Sequence, residues 1–456
     1  MAPPQLEQLV HAGVDLFRLN MAHGTRAEHA ATIATIAELS HRVRPVAILV
    51  DLAGPKIRLG QLLDDPMECP HGAVRTFIRG RSALAPEQLV SNYERLIDEL
   101  HVGDDVMLAD GTVTLTVIEK HQDDVVCRVV NEGMIRSLQG INLPGARINL
   151  PSLTDHDLDC ARWAAGQPVD FISLSFVRSA ADVSTLKTLL RDAGCQAPVI
   201  AKIEKREALD QLDEIIDVAD AAMVARGDLG VEIEVARIPE AQKRIVRVCN
   251  RKGKPVIVAT QMLDSMQRSR RPTRAEVTDV ANAILDGADA CMLSAETAIG
   301  QYPVASVETM SRIMVAAEEL LPDSAAPSHR RPGKAEPAIT DSVVHGAAEI
   351  ARDMGARLMV IVSRSGATAL ASSSRRQTTR CVGISDRDAT LRQMCLMWGI
   401  TPLPDAPCHD LPRLRQFING WGRARGFLGT GDRVVVVTGS GLVPDAHNRV
   451  EVHEIA

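Results

Sequence analysis

Several apolar runs in the middle of the chain end in charged or hydroxyl residues, and those ends are where chemistry is expected. The run PVIAKIE ends with Lys202 and Glu204, two positions apart. Alternation along a strand puts both on one side. The run AAMVARGD ends with Arg226, Gly227 and Asp228. Glu204 and Asp228 stand one β-α repeat apart, so neighbouring strands are expected to carry them. Two carboxylates placed this way make a hard oxygen site suited to Mg2+ or Mn2+, with Lys202 as a fixed cation beside it. The run PVIVAT ends in Thr260, and ADACMLS ends in Ser294 with Glu296 just beyond. Earlier strands supply Arg18 and Asn20, then Asp51 and, past a Gly-Pro turn, Lys56 and Arg58. Each residue alone also fits a structural ion pair or a helix cap. Cations and carboxylates together on successive strand ends read as an active site.

The elements that must position these residues are β-α repeats. Residues 1–60 alternate helix and strand, and Gly13 closes the first helix. Residues 61–147 change character, with β-like runs VMLAD, TVTLTVIE and VVCRVVN and turn signals at Asp110-Gly111 and Gly133. An inserted β domain, a lid, is expected there. Residues 148–325 return to β-α units whose strands are continuously apolar, as in parallel sheets buried on both faces. Capping boxes open three helices, at Thr154/Asp157, Ser179/Asp182 and Thr273/Glu276, and Gly287 ends the third. Strands are expected at Val14, Val46, Asp170, Pro198, Ala221, Pro255 and Ala288, which predicts an α/β fold of the (β/α)8 TIM-barrel type. Residues 323–337 read as a linker, and 338–456 as a C-terminal α/β domain with strands LMVIVS, RCVGIS and RVVVVTG.

Composition bounds the partners. Of 456 residues, 45% are hydrophobic and 24% charged, enough for large buried cores and against disorder. Aromatic residues are only 2% and the net charge is -7, which speaks against nucleic-acid binding. No apolar stretch approaches about 18 residues, so no membrane span is expected. MAPPQLEQLV lacks the layout of a signal peptide. Nine scattered cysteines without a CxxC pattern read as free thiols in a reducing cytoplasm.

Several segments resemble pyruvate kinase: FRLNMAHGTRAEHA (17–30), ILVDLAGPKIRLG (48–60), VIAKIEKREAL (199–209), MVARGDLGVEI (223–233), VIVATQMLDSM (256–266) and RPTRAEVTDVANAILDGADACMLSAETAIGQYP (271–303). The resemblance spans nearly the whole chain. It implies phosphoryl transfer from phosphoenolpyruvate to ADP, giving pyruvate and ATP in glycolysis, by a cytoplasmic homotetramer. Lys202 would stabilise the enolate and the transferring group. Glu204 and Asp228 would hold Mg2+ or Mn2+, and Arg18 would grip the phosphoryl group. Ala225, Gly227 and Asp228, with Thr260, would hold the substrate carboxylate. Thr260 and Ser294 resemble a proton relay, and His23 and Arg58 nucleotide contacts. VSRSGAT (362–368) resembles an effector loop, where Ser363, Arg364, Ser365 and Thr368 would take a phosphorylated metabolite, and GSGLVPDAHNR (439–449) would close over it.

The sequence departs from the family pattern in three places. A strand of the KIVATIGPAS type, which precedes the first helix in the family, has no counterpart before Pro3, so seven barrel strands are expected. Ala22 stands where a serine helps bind K+; the matching ligands would come from Asn20, Asp51 and the Leu52 carbonyl. Lys56 stands where the family has glutamate. A tethered ammonium near Asp51 would replace K+, so the expectation is an enzyme needing no K+, with Lys56 in a catalytic role. The alternatives are a metal-dependent lyase or aldolase using Lys202 as a Schiff base, and a non-catalytic regulatory relative.

Overall fold

The computed structural model describes residues 3–109, 111–145, 150–321, 339–438 and 449–456. The linker read at 323–337 lies outside the described residues, as do positions 439–448 of the 439–449 loop and the expected boundary at 147.

Seven strands build the barrel: β1 (Leu16–Asn20), β2 (Ala47–Asp51), β3 (Phe171–Leu174), β4 (Val199–Ile203), β5 (Ala221–Ala225), β6 (Val256–Ala259) and β7 (Ala290–Cys291). They pair in chain order and all in parallel, giving a curled sheet. Among the described residues no ladder joins β1 to β7, so the sheet is open at that seam. Burial follows from this: every residue of β2 to β6 is buried, whereas β1 and β7 are mostly half-buried. The Thr154/Asp157 and Thr273/Glu276 boxes close in both directions, and Asp182 accepts from the Ser179 N–H at 3.0 Å. A fourth box, Thr25/Glu28, starts the helix Arg26–Arg42. Gly13 and Gly287 end their helices at φ +114 and +98, where a side chain would be strained.

The second sheet has six strands in the spatial order Ile141–Asn142, Asp105–Leu108, Val113–Lys120, Asp124–Asn131, Val74–Ile78 and Gln88–Leu89. Phe77, Leu115, Val117, Cys127 and Val129 are part of its core. Gly133 is not a turn, as its position in the sequence suggested. It opens the short strand Gly133–Ile135, which pairs with Met67–Cys69.

The third sheet orders Ile400–Pro402, Cys381–Ile384, Leu358–Val362, Arg433–Thr438 and Arg449–Glu454, the last antiparallel. This unit closes the floor of the barrel. Its Leu396 packs with the inward residues Ala47, Leu49, Phe171, Ile200, Met223 and Ile257. Arg392 reaches Asp170, one residue before β3, at 2.8 Å, and Arg376 reaches Asp289, one residue before β7, at 3.0 Å. Asp170 is fully buried and also accepts from the Ile48 N–H at 2.9 Å. Burial pushes its carboxyl up, and Arg392 opposes that. Arg392→Ala is therefore expected to cost about 3 kcal/mol, because a buried carboxylate loses its partner. Calorimetry should show unfolding at a lower temperature, and adding Asp170→Asn should recover part of the loss. An unchanged melting profile would contradict this account of the floor.

Candidate active site

Strand register places Asn20 beside Asp51 and Asp51 beside Ser173, one polar row across β1, β2 and β3. Asp51 is only 1% exposed. Its Oδ1 accepts from Ser173 Oγ at 2.6 Å, and its Oδ2 accepts from Arg18 Nε at 2.7 Å. Lys202 projects from β4 into the same space, with Nζ 3.5 Å from Asp51 Oδ2 and 2.7 Å from Glu204 Oε1. It donates to Ser175 Oγ at 2.8 Å, and Ser175 in turn donates to the Leu52 carbonyl at 2.6 Å. Glu204, 1% exposed, accepts from the Phe176 N–H at 2.7 Å through Oε2. The Lys202 ammonium is the one partner that Oε1 has among the described residues.

The charges explain one another. Burial alone would raise the Asp51 carboxyl, but Lys202 and then Arg18 outweigh it and hold it below the usual carboxylate range. Burial would lower the Lys202 ammonium; Asp51 and Glu204 overcome this and raise it, so it stays protonated at neutral pH. Glu204 is pushed up by burial and by nearby Asp228, against the pull of Lys202. A divalent cation between the two carboxylates would reverse that push. The buried Glu204 oxygen, met only by the ammonium, and the neighbouring Asp228 carboxylate fit such an ion. Among the described residues no group of three or more His, Cys, Asp or Glu side chains is arranged to hold a metal. Two protein carboxylates suffice for Mg2+, which completes its shell with substrate oxygens and water.

Arg226, Gly227 and Asp228 do not continue the strand, as the apolar run suggested. They form the first turn of the helix Arg226–Glu232. The Gly227 N–H donates to Thr260 Oγ1 at 2.8 Å. Thr260 and Gln261 sit in the left-handed region, φ +70 and +54. Such backbone strain in residues other than glycine clusters at functional sites. At β7, the Ser294 N–H donates to Glu296 at 2.7 Å, and buried Glu296 also accepts from the Leu263 N–H at 3.1 Å. This pins the turn after β7 to the turn after β6.

Other expected residues are placed differently. Among the described residues no ion pair joins Lys56 to Asp51, whose oxygens are taken by Arg18, Lys202 and Ser173. The cause is the turn at Gly54, φ +70, which carries Lys56 towards Gly140 of the second sheet's unit. A side chain at Gly54 would come within 2.5 Å of the Phe176 ring. Lys56 instead lines a cleft of about 430 Å³ with Ile141, Phe176, Lys205 and Glu232. His23 is exposed, and its carbonyl accepts from His29 at 2.8 Å. Arg58 reaches the Leu138 carbonyl at 3.1 Å. No hydrogen bond joins Ser294 to Thr260 among the described residues. In the C-terminal unit Ser363 and Thr368 are buried, Ser365 Oγ accepts from the Ala367 N–H at 3.4 Å, and exposed Arg364 faces Asp386 at 3.5 Å.

Ser173, Ser175 and the Phe176 N–H are site groups that the sequence expectations omit. Their one signal was the alternation of serines in the apolar run FISLSF.

Family models for the pyruvate kinase barrel domain and the pyruvate kinase alpha/beta domain match residues 2–307 and 341–453. The chain belongs to the pyruvate kinase family. As a pyruvate kinase it is a phosphotransferase acting on phosphoenolpyruvate and ADP. It is 37% identical over 443 residues to a pyruvate kinase of Staphylococcus epidermidis, covering 95% of this chain and 74% of the relative. It is 42% identical over 408 residues to a pyruvate kinase of Staphylococcus saprophyticus, covering 87% and 68%. The crystal structure of a pyruvate kinase from Cryptosporidium parvum superposes with a TM-score of 0.91 at 32% identity, covering 100% of this chain and 93% of that one. Pyruvate kinases generally use a divalent metal. No described helix is long and apolar enough to cross a membrane.

Proposed function

We propose that this pyruvate kinase transfers phosphoryl at the cluster of buried Lys202 and Glu204 with half-buried Asp228, Arg18 and Thr260, in glycolysis and without a requirement for K+. The observation that carries the proposal is the Lys202 ammonium, held between Asp51 and Glu204 at the mouth of the barrel. Phosphoryl transfer needs positioned charge more than covalent participation. Lys202 would neutralise charge developing on the transferring group and on the enolate oxygen. Arg18 would orient the phosphoryl group, its guanidinium already aimed by Asp51. Ala225, Gly227 and Asp228, with Thr260, would seat the substrate carboxylate, and Thr260 with Ser294 would serve the proton delivered to the enolate carbon. Glu204 and Asp228 would hold Mg2+ or Mn2+, which supplies Lewis-acid stabilisation of the phosphoryl oxygens when bound. His23 and Arg58 remain nucleotide contacts in this proposal. The unit read at 61–147 would act as a lid over barrel segments 1–60 and 148–325, with 338–456 as the regulatory unit of a cytoplasmic homotetramer. A phosphorylated effector at Ser363, Arg364, Ser365 and Thr368 would have to displace Asp386 from Arg364. The raised Lys202 disfavours a Schiff-base lyase, which needs a neutral amine.

The Asn20 carboxamide oxygen accepts from the Ala22 N–H at 3.1 Å, Asp51 is held by three side chains, and the Leu52 carbonyl accepts from Ser175. The oxygens matching the family's K+ ligands thus already have partners, and Arg18 and Lys202 supply fixed positive charge. Lys56 would add positive charge at the cleft rather than at Asp51. Turnover in tetramethylammonium buffer is expected to stay within about twofold of that in KCl at equal ionic strength, since both salts screen alike. Strong activation by millimolar K+ alone would contradict it.

A further inference from the structure

Thr260 is a β-branched residue at φ +70, followed by Gln261 at φ +54. A residue of this kind rarely adopts that conformation, and it persists only where its surroundings over-determine it. Two consecutive residues of the neighbouring strand's turn do so. The Gly227 N–H donates to Thr260 Oγ1 at 2.8 Å. The Arg226 guanidinium takes the other side, donating from Nη2 to the Thr260 carbonyl at 2.6 Å and from Nε to the Ala259 carbonyl at 3.3 Å. The Ala259 carbonyl also accepts the Thr260 hydroxyl at 2.6 Å, so the arginine and the hydroxyl share one acceptor. Arg226 is itself 9% exposed and anchored: Nη1 meets Asp279 at 2.7 Å and Gln242 at 3.4 Å, and Gln242 donates to Asp286 at 3.1 Å.

We propose that Arg226 is a positioning residue for phosphoryl transfer, fixing the 259–260 backbone so that the Thr260 hydroxyl faces the reacting group beside Gly227 and Asp228. The fork of the guanidinium matters as much as its charge. It spans two successive carbonyls while a third nitrogen holds Asp279, which an ammonium on a single flexible stem cannot reproduce. The proposal rests on the reading of Thr260 as a group that touches substrate.

The test is a cycle of Arg226→Lys, Thr260→Ala and the double variant, assayed for kcat and for KM towards phosphoenolpyruvate at saturating ADP and Mg2+. Arg226→Lys is expected to lower kcat at least about tenfold while KM moves less than about threefold, because misplacement of a reacting-site group acts on the transition state. In the Thr260→Ala background the same change should lower kcat less than about twofold, since Arg226 acts through the hydroxyl that is already gone. Multiplicative losses in the double variant, or a folded Arg226→Lys chain with kcat within about twofold of the parent, overturn the proposal. A Thr260→Ala chain with parental turnover sinks the reading of Thr260 itself, and the proposal with it. Should Arg226→Lys not fold, Asp279→Asn removes the charge of the guanidinium's anchor with little change in volume. In the same cycle it is expected to lower kcat about threefold in the parent and to have no effect with Thr260→Ala, with additive losses again decisive against the proposal.

Discussion

Replacing Lys202 by methionine is expected to lower turnover at least about 100-fold while the chain still folds, the size seen when one preorganised charge-stabilising donor is removed. Methionine matches the aliphatic stem of the side chain and removes the ammonium that meets Asp51, Ser175 and Glu204. The substitution should also change the acid response. Asp51 is held below the usual carboxylate range, so its ionisation contributes stability that is present above its unfolded pKa and lost as pH falls through the folded one. Without Lys202, burial is opposed mainly by Arg18, and the Asp51 carboxyl should rise. The variant is then expected to unfold at a higher pH than the parent on acidification, followed by circular dichroism. Near-parental turnover at saturating Mg2+ would remove Lys202 from the chemistry.

Glu204→Gln should lose turnover by at least about 100-fold, and its direct readout is metal binding, because a missing ligand weakens a Lewis-acid site. Glutamine retains an oxygen to accept the Phe176 N–H, which the glutamate meets at 2.7 Å, so the local fold is kept. It removes the charge that pairs with Lys202 and stands near Asp228. Losing even an outer-shell partner of a ligand typically costs about 10–100-fold in metal affinity, and losing a ligand should cost no less. Mn2+ titration followed by electron paramagnetic resonance measures this without any turnover. Unchanged Mn2+ affinity would place the metal elsewhere.

What the sequence makes legible follows from range. Lys202 and Glu204 are adjacent in one strand's alternation, so their meeting at 2.7 Å depends only on local geometry. The five inner barrel strands, β2 to β6, are legible as apolar runs, because a strand buried on both faces leaves a nearly continuous apolar signature. The strained turn at Thr260 is a different matter. It is imposed by Arg226, 34 residues away in sequence, and no local pattern announces it. Ser173 and Ser175 are hidden by the same apolar run that reveals their strand, because a buried serine with a partner looks like any other interior residue. The place of Lys56 is not legible in the sequence, because it follows a turn whose direction is decided by Gly54 packing on Phe176. The strand Arg449–Glu454 leaves little signal, because it is an edge strand with polar residues at alternate positions and no apolar run to mark it.

The central claim is that this chain transfers phosphoryl from phosphoenolpyruvate to ADP at the Lys202 cluster. The most direct test is pyruvate formation by the purified protein from phosphoenolpyruvate, with ADP and Mg2+ supplied or withheld separately. The account predicts pyruvate only when both are present, with one ATP formed for each pyruvate. Pyruvate released at the same rate without ADP, or none with every component present, would contradict it.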